Sequence, residues 1–317
     1  MRKFILVMLL IGVVGLLSGQ QGCQRSGSGD TEIGTGPFVG GNDGLSIAFV
    51  EDAPPLGGNF QGEAIDIEVD LTNNGETDVA TSAAVINLIG TVTGNSFTLT
   101  QTGAVMNTGL IERIRDSSDV ADSDFVDLGT ATLTDANIGP SWSPNIRAQV
   151  CYPYTTDVQI DDLCIPGQRN EAGSVECEID NAENLVDKGD VSGAPVQVTS
   201  VVESRTGDGI RVRLDIENQG NGEVIATTHA CNNAVNVPTA NRDLVRVSVP
   251  GFSCTFKTEE TDSAGTIELR NGKGRLRCTK PVSAAGRAYL DRFSATLTYN
   301  YVEETGKTIS IQNSAAF

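Results

Sequence analysis

Histidine is almost missing from this chain: His229 is the only one in 317 residues, and no Cys-x-x-Cys pair occurs. Zinc centres are built from closely spaced Cys and His, so a zinc site has no support. A Ser-His-Asp relay would have His229 alone as its base. No Gly-x-x-x-x-Gly-Lys-Ser/Thr loop is present to cradle a nucleotide phosphate, and no Asn-x-Ser/Thr sequon occurs. Cations are scarce as well, with 22 Lys and Arg against 41 Asp and Glu and a formal net charge of -19. Duplex binding rests on cationic neutralisation of phosphates, which argues against nucleic acid as a partner. The anionic balance suits solubility in salt or cation-rich surroundings and identifies no ligand.

Long apolar runs are confined to the start. MRKFILVMLLIGVVGLLSG has a cationic opening at Arg2 and Lys3 and an apolar run from Phe4 to Leu17, the pattern of an export signal. That run is shorter than the roughly 20 apolar residues of a membrane-spanning helix. Residues 1–22 are therefore expected to be a signal peptide or membrane anchor, and 23–43, polar and Gly-rich, a flexible tether. Cys23 is a lipidation candidate, because the segment resembles the start of a mature lipoprotein. It departs from that pattern in that Gln20, Gln21 and Gly22 separate Leu17-Ser18-Gly19 from the cysteine.

What the chain does contain, it contains twice. Residues 65–79, IDIEVDLTNNGETDV, align without a gap on 210–224, IRVRLDIENQGNGEV. In the first copy Ile65, Ile67, Val69 and Leu71 alternate with Asp66, Glu68, Asp70 and Thr72; in the second Ile210, Val212, Leu214 and Ile216 alternate with polar residues. Each run predicts a strand with one apolar face. The strands stop at Asn73-Asn74-Gly75 and Asn218-Gln219-Gly220, turn signals in which Gly accepts φ > 0. A second match sets NIRAQVCYPYTT, starting at Asn145, against RFSATLTYNYVE, starting at Arg292. It aligns Tyr152 and Tyr154 with Tyr299 and Tyr301.

Gly is abundant, and no helical period is kept beyond the leader, so the expected class is all-β. Apolar faces of this kind are buried by packing two antiparallel sheets. The expected organisation is two tandem Ig-like β-sandwiches over 44–167 and 194–317, joined by a polar linker at 168–193. The apolar strand followed by one ending in Asn-x-Gly, with the Tyr-x-Tyr closing strand, resembles the CARDB-like and other immunoglobulin-like modules of secreted prokaryotic, archaeal-type cell-surface proteins. That resemblance implies adhesion, presentation or structural roles.

Cys151, Cys164, Cys177, Cys231, Cys254 and Cys278 are expected to form disulfides in an exported chain. Strand alternation favours Cys151 with Cys164 across a closing hairpin, with a stabilisation of about 3 kcal/mol, and Cys254 with Cys278. Cys177 and Cys231 are left as the third pair, one of 15 connectivities open to six cysteines. His229, two residues from Cys231, reads as a surface residue beside a disulfide. Asp116, Asp119, Asp122, Asp124 and Asp127 crowd one segment and are the only metal candidate, for calcium. The spacing lacks the EF-hand pattern, and a solvated loop is the simpler reading. No other cofactor is expected.

These features point to a non-enzymatic extracellular protein at the cell surface, binding other surface proteins or glycans. The membrane would be reached through the N-terminal segment. A structural subunit of a filament or surface layer, self-associating through strand contacts, is the alternative. A calcium-assisted glycan-active enzyme is a more distant one.

Overall fold

The alternation at 65–71 and 210–216 becomes two strands with their apolar sets buried and their polar sets outward. The computed structural model describes residues 36–94, 96–135, 138–167, 177, 179, 183–282 and 288–313. The leader, Cys23 and most of 168–182 lie outside the described residues. The first repeat provides β1 (Leu45–Phe49), β2 (Asn59–Phe60), β3 (Ala64–Asn73), β4 (Val85–Gly90), β5 (Phe97–Leu99), β6 (Val105–Met106), β7 (Asp122–Leu133), β8 (Ser141–Trp142) and β9 (Asn145–Ile165). The second provides β10 (Val196–Arg205), β11 (Gly209–Asn218), β12 (Glu223–Ile225), β13 (Leu244–Ser248), β14 (Ser253–Cys254), β15 (Thr258–Thr261), β16 (Ala264–Glu268), β17 (Lys273–Pro281), β18 (Tyr289–Thr308) and β19 (Ile311–Gln312). The chain is almost all β, in antiparallel sheets, as the alternation requires.

The repeats do not close two separate sandwiches. Each contributes its own four-stranded sheet, ordered β1-β3-β7-β5 in the first and β10-β11-β17-β14 in the second. Both then share an eight-stranded sheet in which β18 of the second repeat pairs antiparallel with β9 of the first along nearly its whole length. Opposite residues in such a ladder point to the same side. Ile146, Ala148, Val150, Tyr152 and Tyr154 therefore share one face with Phe293, Ala295, Leu297, Tyr299 and Tyr301, and all ten lie in one core with the inner residues of β3 and β11. Both small sheets thus cover the same face of the shared sheet, side by side.

The ends of the repeats are exchanged. After β18 the chain turns back to the first repeat, where β19 pairs parallel with β2 and antiparallel with β8. After β9 it runs against the second repeat, with the Leu185 amide donating to Val201 O and Asn184 bridging to the Val201 amide. The end of the expected linker is packed: Val191 and Ser192 are buried, and the Gln159 amide donates to Asp190 O. The end of the expected tether is held too. Glu76 accepts from the amides of Val39 at 3.0 Å, Gly40 at 2.9 Å and Gly193 at 2.6 Å.

The repeated motifs form one device, built twice. Tyr154 donates to Asn73 Oδ1 at 3.3 Å and Tyr301 to Asn218 Oδ1 at 3.1 Å. The two Asn side chains in turn donate to Thr77 O and Gly222 O, closing each turn. Tyr152 accepts from the Leu45 amide and Tyr299 from the Val196 amide, the first residues of the two leading strands. Burial holds all four phenols above their ordinary pKa, so they remain neutral hydroxyls. Gly75 and Gly220 serve space, not a positive φ, since neither is among the left-handed residues. A Cβ on Gly75 would lie 2.0 Å from the Tyr154 hydroxyl, and one on Gly220 2.3 Å from that of Tyr301.

Candidate functional site

The expected site residues disperse. Cys254 is bonded to Cys278, but Cys151 is bonded to Cys231 and Cys164 to Cys177. The expected Cys151–Cys164 hairpin does not exist, because both lie on the uninterrupted strand β9. Thirteen residues of strand separate them by about 43 Å at 3.3 Å per residue. Cys151 points away from the core and joins Ile225, Ala234, Val237 and Val302 in a small cluster on the opposite side of the shared sheet. His229 sits at its margin, accepting from Asn241 at Nδ1 if Nε2 carries the proton toward Asn233 O at 3.1 Å. Cys231 is in a disulfide, so it is no thiol nucleophile.

The five aspartates each serve local backbone. Asp116 caps the Ser118 amide, Asp119 accepts from Arg115 N, Asp122 from Glu112 N, Asp124 from Thr108 N and Gly109 N, and Asp127 from Gly129 N. Among the described residues no three His, Cys, Asp or Glu side chains gather as metal ligands would. The expected loop is also shorter than the acidic run, because β7 begins at Asp122.

Charge is organised instead on the outer faces of the two small sheets. On β3 and β7 the outward residues are Asp66, Glu68, Asp70 and Thr72, standing opposite Thr130, Asp127, Phe125 and Ser123. Four carboxylates and no cation stand among these eight outward residues. On β11 and β17 Arg211, Arg213, Asp215 and Glu217 stand opposite Thr279, Arg277, Arg275 and Lys273. Five cations against two carboxylates leave three positive charges there. Arg275 pairs with Asp215 at 2.6 Å and Lys273 with Glu217 at 2.8 Å. Arg213 reaches Asp215 only at 3.5 Å, and its Nε is buried without a hydrogen-bond partner. A groove of about 530 Å³ lined in part by Ser200, Glu217, Arg270 and Arg275 borders this face.

Each face contains a like-charge cross-strand pair. Glu68 is directly opposite Asp127, and Arg213 directly opposite Arg277, at equivalent places in the two repeats. Side chains so placed have Cβ atoms about 5 Å apart and destabilise the sheet when their charges match. Nearby, burial raises the Asp70 carboxyl above its ordinary pKa despite hydrogen bonds from Thr72 and Ser123. Phe125, opposite Asp70, is 57% exposed.

Sequence reasoning passed over these faces by treating their residues only as polar alternates. The reversal from Asp66 and Glu68 to Arg211 and Arg213 was nevertheless visible in the alignment. That Asp127 and Arg277 complete the pairs required the strand order.

A separate polar cavity of about 170 Å³ lies where the first repeat's extension meets β10, lined by Asp162, Glu183, Asp187 and Glu203 beside Cys164–Cys177. Glu203 is 3% exposed; one oxygen accepts from the Cys164 amide at 3.0 Å and the other has no partner. Burial pushes its pKa up to about 7.

No protein-family model matches the chain, and no curated protein matches it. Among solved structures it is similar to the secreted serine protease VesC from Vibrio cholerae, at 13% identity and a TM-score of 0.20 over 81% of this chain and 50% of that one. The C-terminal globular domain of an oligosaccharyltransferase from Pyrococcus abyssi follows, at 8% identity and a TM-score of 0.18 over 81% and 45%. An archaeal virus structure described by its triple jelly-roll fold and turret assembly gives 11% identity and a TM-score of 0.09 over 87% and 92%. The chain spans about half the length of the first two, and at these scores none of the likenesses carries an argument.

Proposed function

We propose that this is a non-enzymatic cell-surface protein that holds two immunoglobulin-like, CARDB-like repeats outside the cell and binds protein or glycan partners through their sheet faces. The observation that carries this reading is the pair of outer faces with uncompensated charge of opposite sign. They are presented on a body whose repeats are locked by a shared sheet and a buried Tyr–Asn network. Like-charge cross-strand pairs cost stability, and a face that retains one gains when a partner supplies the counter-charge. Three disulfides support an oxidising compartment outside the cytosol, in keeping with the export signal in the sequence.

The test is capture of envelope proteins and glycans by the immobilised protein, in parallel with variants neutralised at Glu68 and Asp66 or at Arg213 and Arg277. Capture that is lost with one of these variants and weakened by salt supports the reading. Capture that is indifferent to both variants removes the faces from it.

A further inference from the structure

We propose that the partner of these faces is a second copy of the chain, bound as a face-to-face dimer in which each acidic sheet covers the other copy's basic sheet. This rests on the reading of the faces as binding surfaces and names what they bind.

Duplication makes the two faces alike in backbone, since β3 pairs β7 as β11 pairs β17. Substitution makes them opposite in charge at three matched positions, Asp66 against Arg211, Glu68 against Arg213 and Asp127 against Arg277, while Asp70 and Asp215 keep the same sign. Two surfaces with net charge of opposite sign are electrostatically complementary. When they are apposed, the Glu68–Asp127 and Arg213–Arg277 pairs, each unfavourable alone, supply one another's counter-charges. Arg211 and Arg277 have no carboxylate within ion-pair distance among the described residues, and an acidic face brings four. Phe125 stands exposed amid that acidic face, where a guanidinium from the opposing copy can lie over its ring.

The arrangement closes. Both small sheets lie on the same side of the shared sheet, so a copy turned over about a two-fold axis sets its basic face on the first copy's acidic face and its acidic face on the basic one. That contact is isologous, and it satisfies both faces at once. Four strands about 4.8 Å apart and some eight residues long present roughly 500 Å² each. Two such sheets bury about 1,000 Å² per copy, within the range of stable interfaces. The net charge of -19 repels two copies at long range. At 0.15 M salt the Debye length of about 8 Å screens remote charges while pairs in contact persist.

The experiment is sedimentation of the full chain in mild detergent at about 0.15 M and 1 M salt. Beside it run Arg213→Glu with Arg277→Glu, which turns the second face from three net positive charges to one net negative, and Asp66→Arg with Glu68→Arg and Asp127→Arg, which turns the first from four net negative charges to two net positive. The wild type is expected to dimerise at 0.15 M and to dissociate at 1 M with at least a tenfold rise in Kd. Each variant alone is expected to be monomeric, and an equimolar mixture of the two to form a heterodimer. Thermal unfolding of each variant checks that it remains folded. A wild type that is monomeric at 0.15 M, or variants that dimerise alone, overturns the proposal. If the wild type is monomeric and still captures envelope partners through these faces, self-association fails while the surface-binding reading stands.

Discussion

Pro153 stands opposite Asn300 where β9 pairs with β18, and the duplication aligns these same two residues with each other. The pair maps onto itself when the repeats are exchanged, so an approximate two-fold axis passes through it. Tyr152 opposite Tyr301 then maps onto Tyr299 opposite Tyr154. The two copies meet as an isologous pair joined in one chain, which explains why the Tyr-x-Tyr motif sits at the centre of the shared sheet.

That symmetry makes Tyr154→Phe and Tyr301→Phe near-equivalent. Each removes a donor to an Asn Oδ1, buried at Asn73 and half-buried at Asn218, and the acceptor for the Thr77 or Gly222 amide, at a cost of about 1–3 kcal/mol. Urea unfolding of the two variants is expected to give losses within about 1 kcal/mol of each other. A loss confined to one of them contradicts the equivalence.

Gly75→Ala is expected to destabilise by about 1–3 kcal/mol through overpacking. The added methyl meets the Tyr154 hydroxyl at 2.0 Å and Asp43 O at 2.6 Å. With Tyr154→Phe in the background the cost is expected to be sub-additive, because the closest contact is gone while the backbone oxygen remains. Full additivity in a double-mutant cycle would mean the glycine answers a different constraint.

Removal of Cys151–Cys231 by paired serines is expected to be the most costly disulfide loss. Its sequence separation of 80 residues exceeds 24 for Cys254–Cys278 and 13 for Cys164–Cys177. On the chain-entropy model these correspond to about 4.5, 3.4 and 2.9 kcal/mol. Thermal unfolding of the three double-serine variants checks the order.

Glu203 makes stability fall with pH. Its folded pKa of about 7 lies above the ordinary 4.5 because burial penalises the carboxylate. Between these values the folded state holds a proton that the unfolded chain has released, so stability declines as pH rises through about 4.5 to 7 and then levels. The full contribution is on the order of 3 kcal/mol. Glu303, also pushed up to about 7 by burial and the Asp43 charge, acts in the same window. Glu203→Gln keeps an acceptor for the Cys164 amide and is expected to remove about half of the slope; an unchanged slope in urea titrations at pH 5 and 7.5 contradicts the assignment.

Much of this architecture was legible in the residues because strand period and turn chemistry are local. The alternation of 65–71 and 210–216 and the paired tyrosines emerge where the alignment places them. Local pattern is silent about partners across space. It suggested a hairpin between Cys151 and Cys164, where the chain runs straight for 21 residues. It also divided the chain into separate sandwiches, where long-range pairing joins β9 to β18 and β19 to β2.

The order of residues alone determined the all-β class, the duplication and the sign reversal from Asp66 and Glu68 to Arg211 and Arg213, since each is a property of neighbours along the chain. Only the tertiary structure decided which strands are shared, which cysteines meet and that Asp127 and Arg277 complete two like-charge pairs. Those depend on hydrogen-bonded contacts between distant segments, which burial of a common core selects.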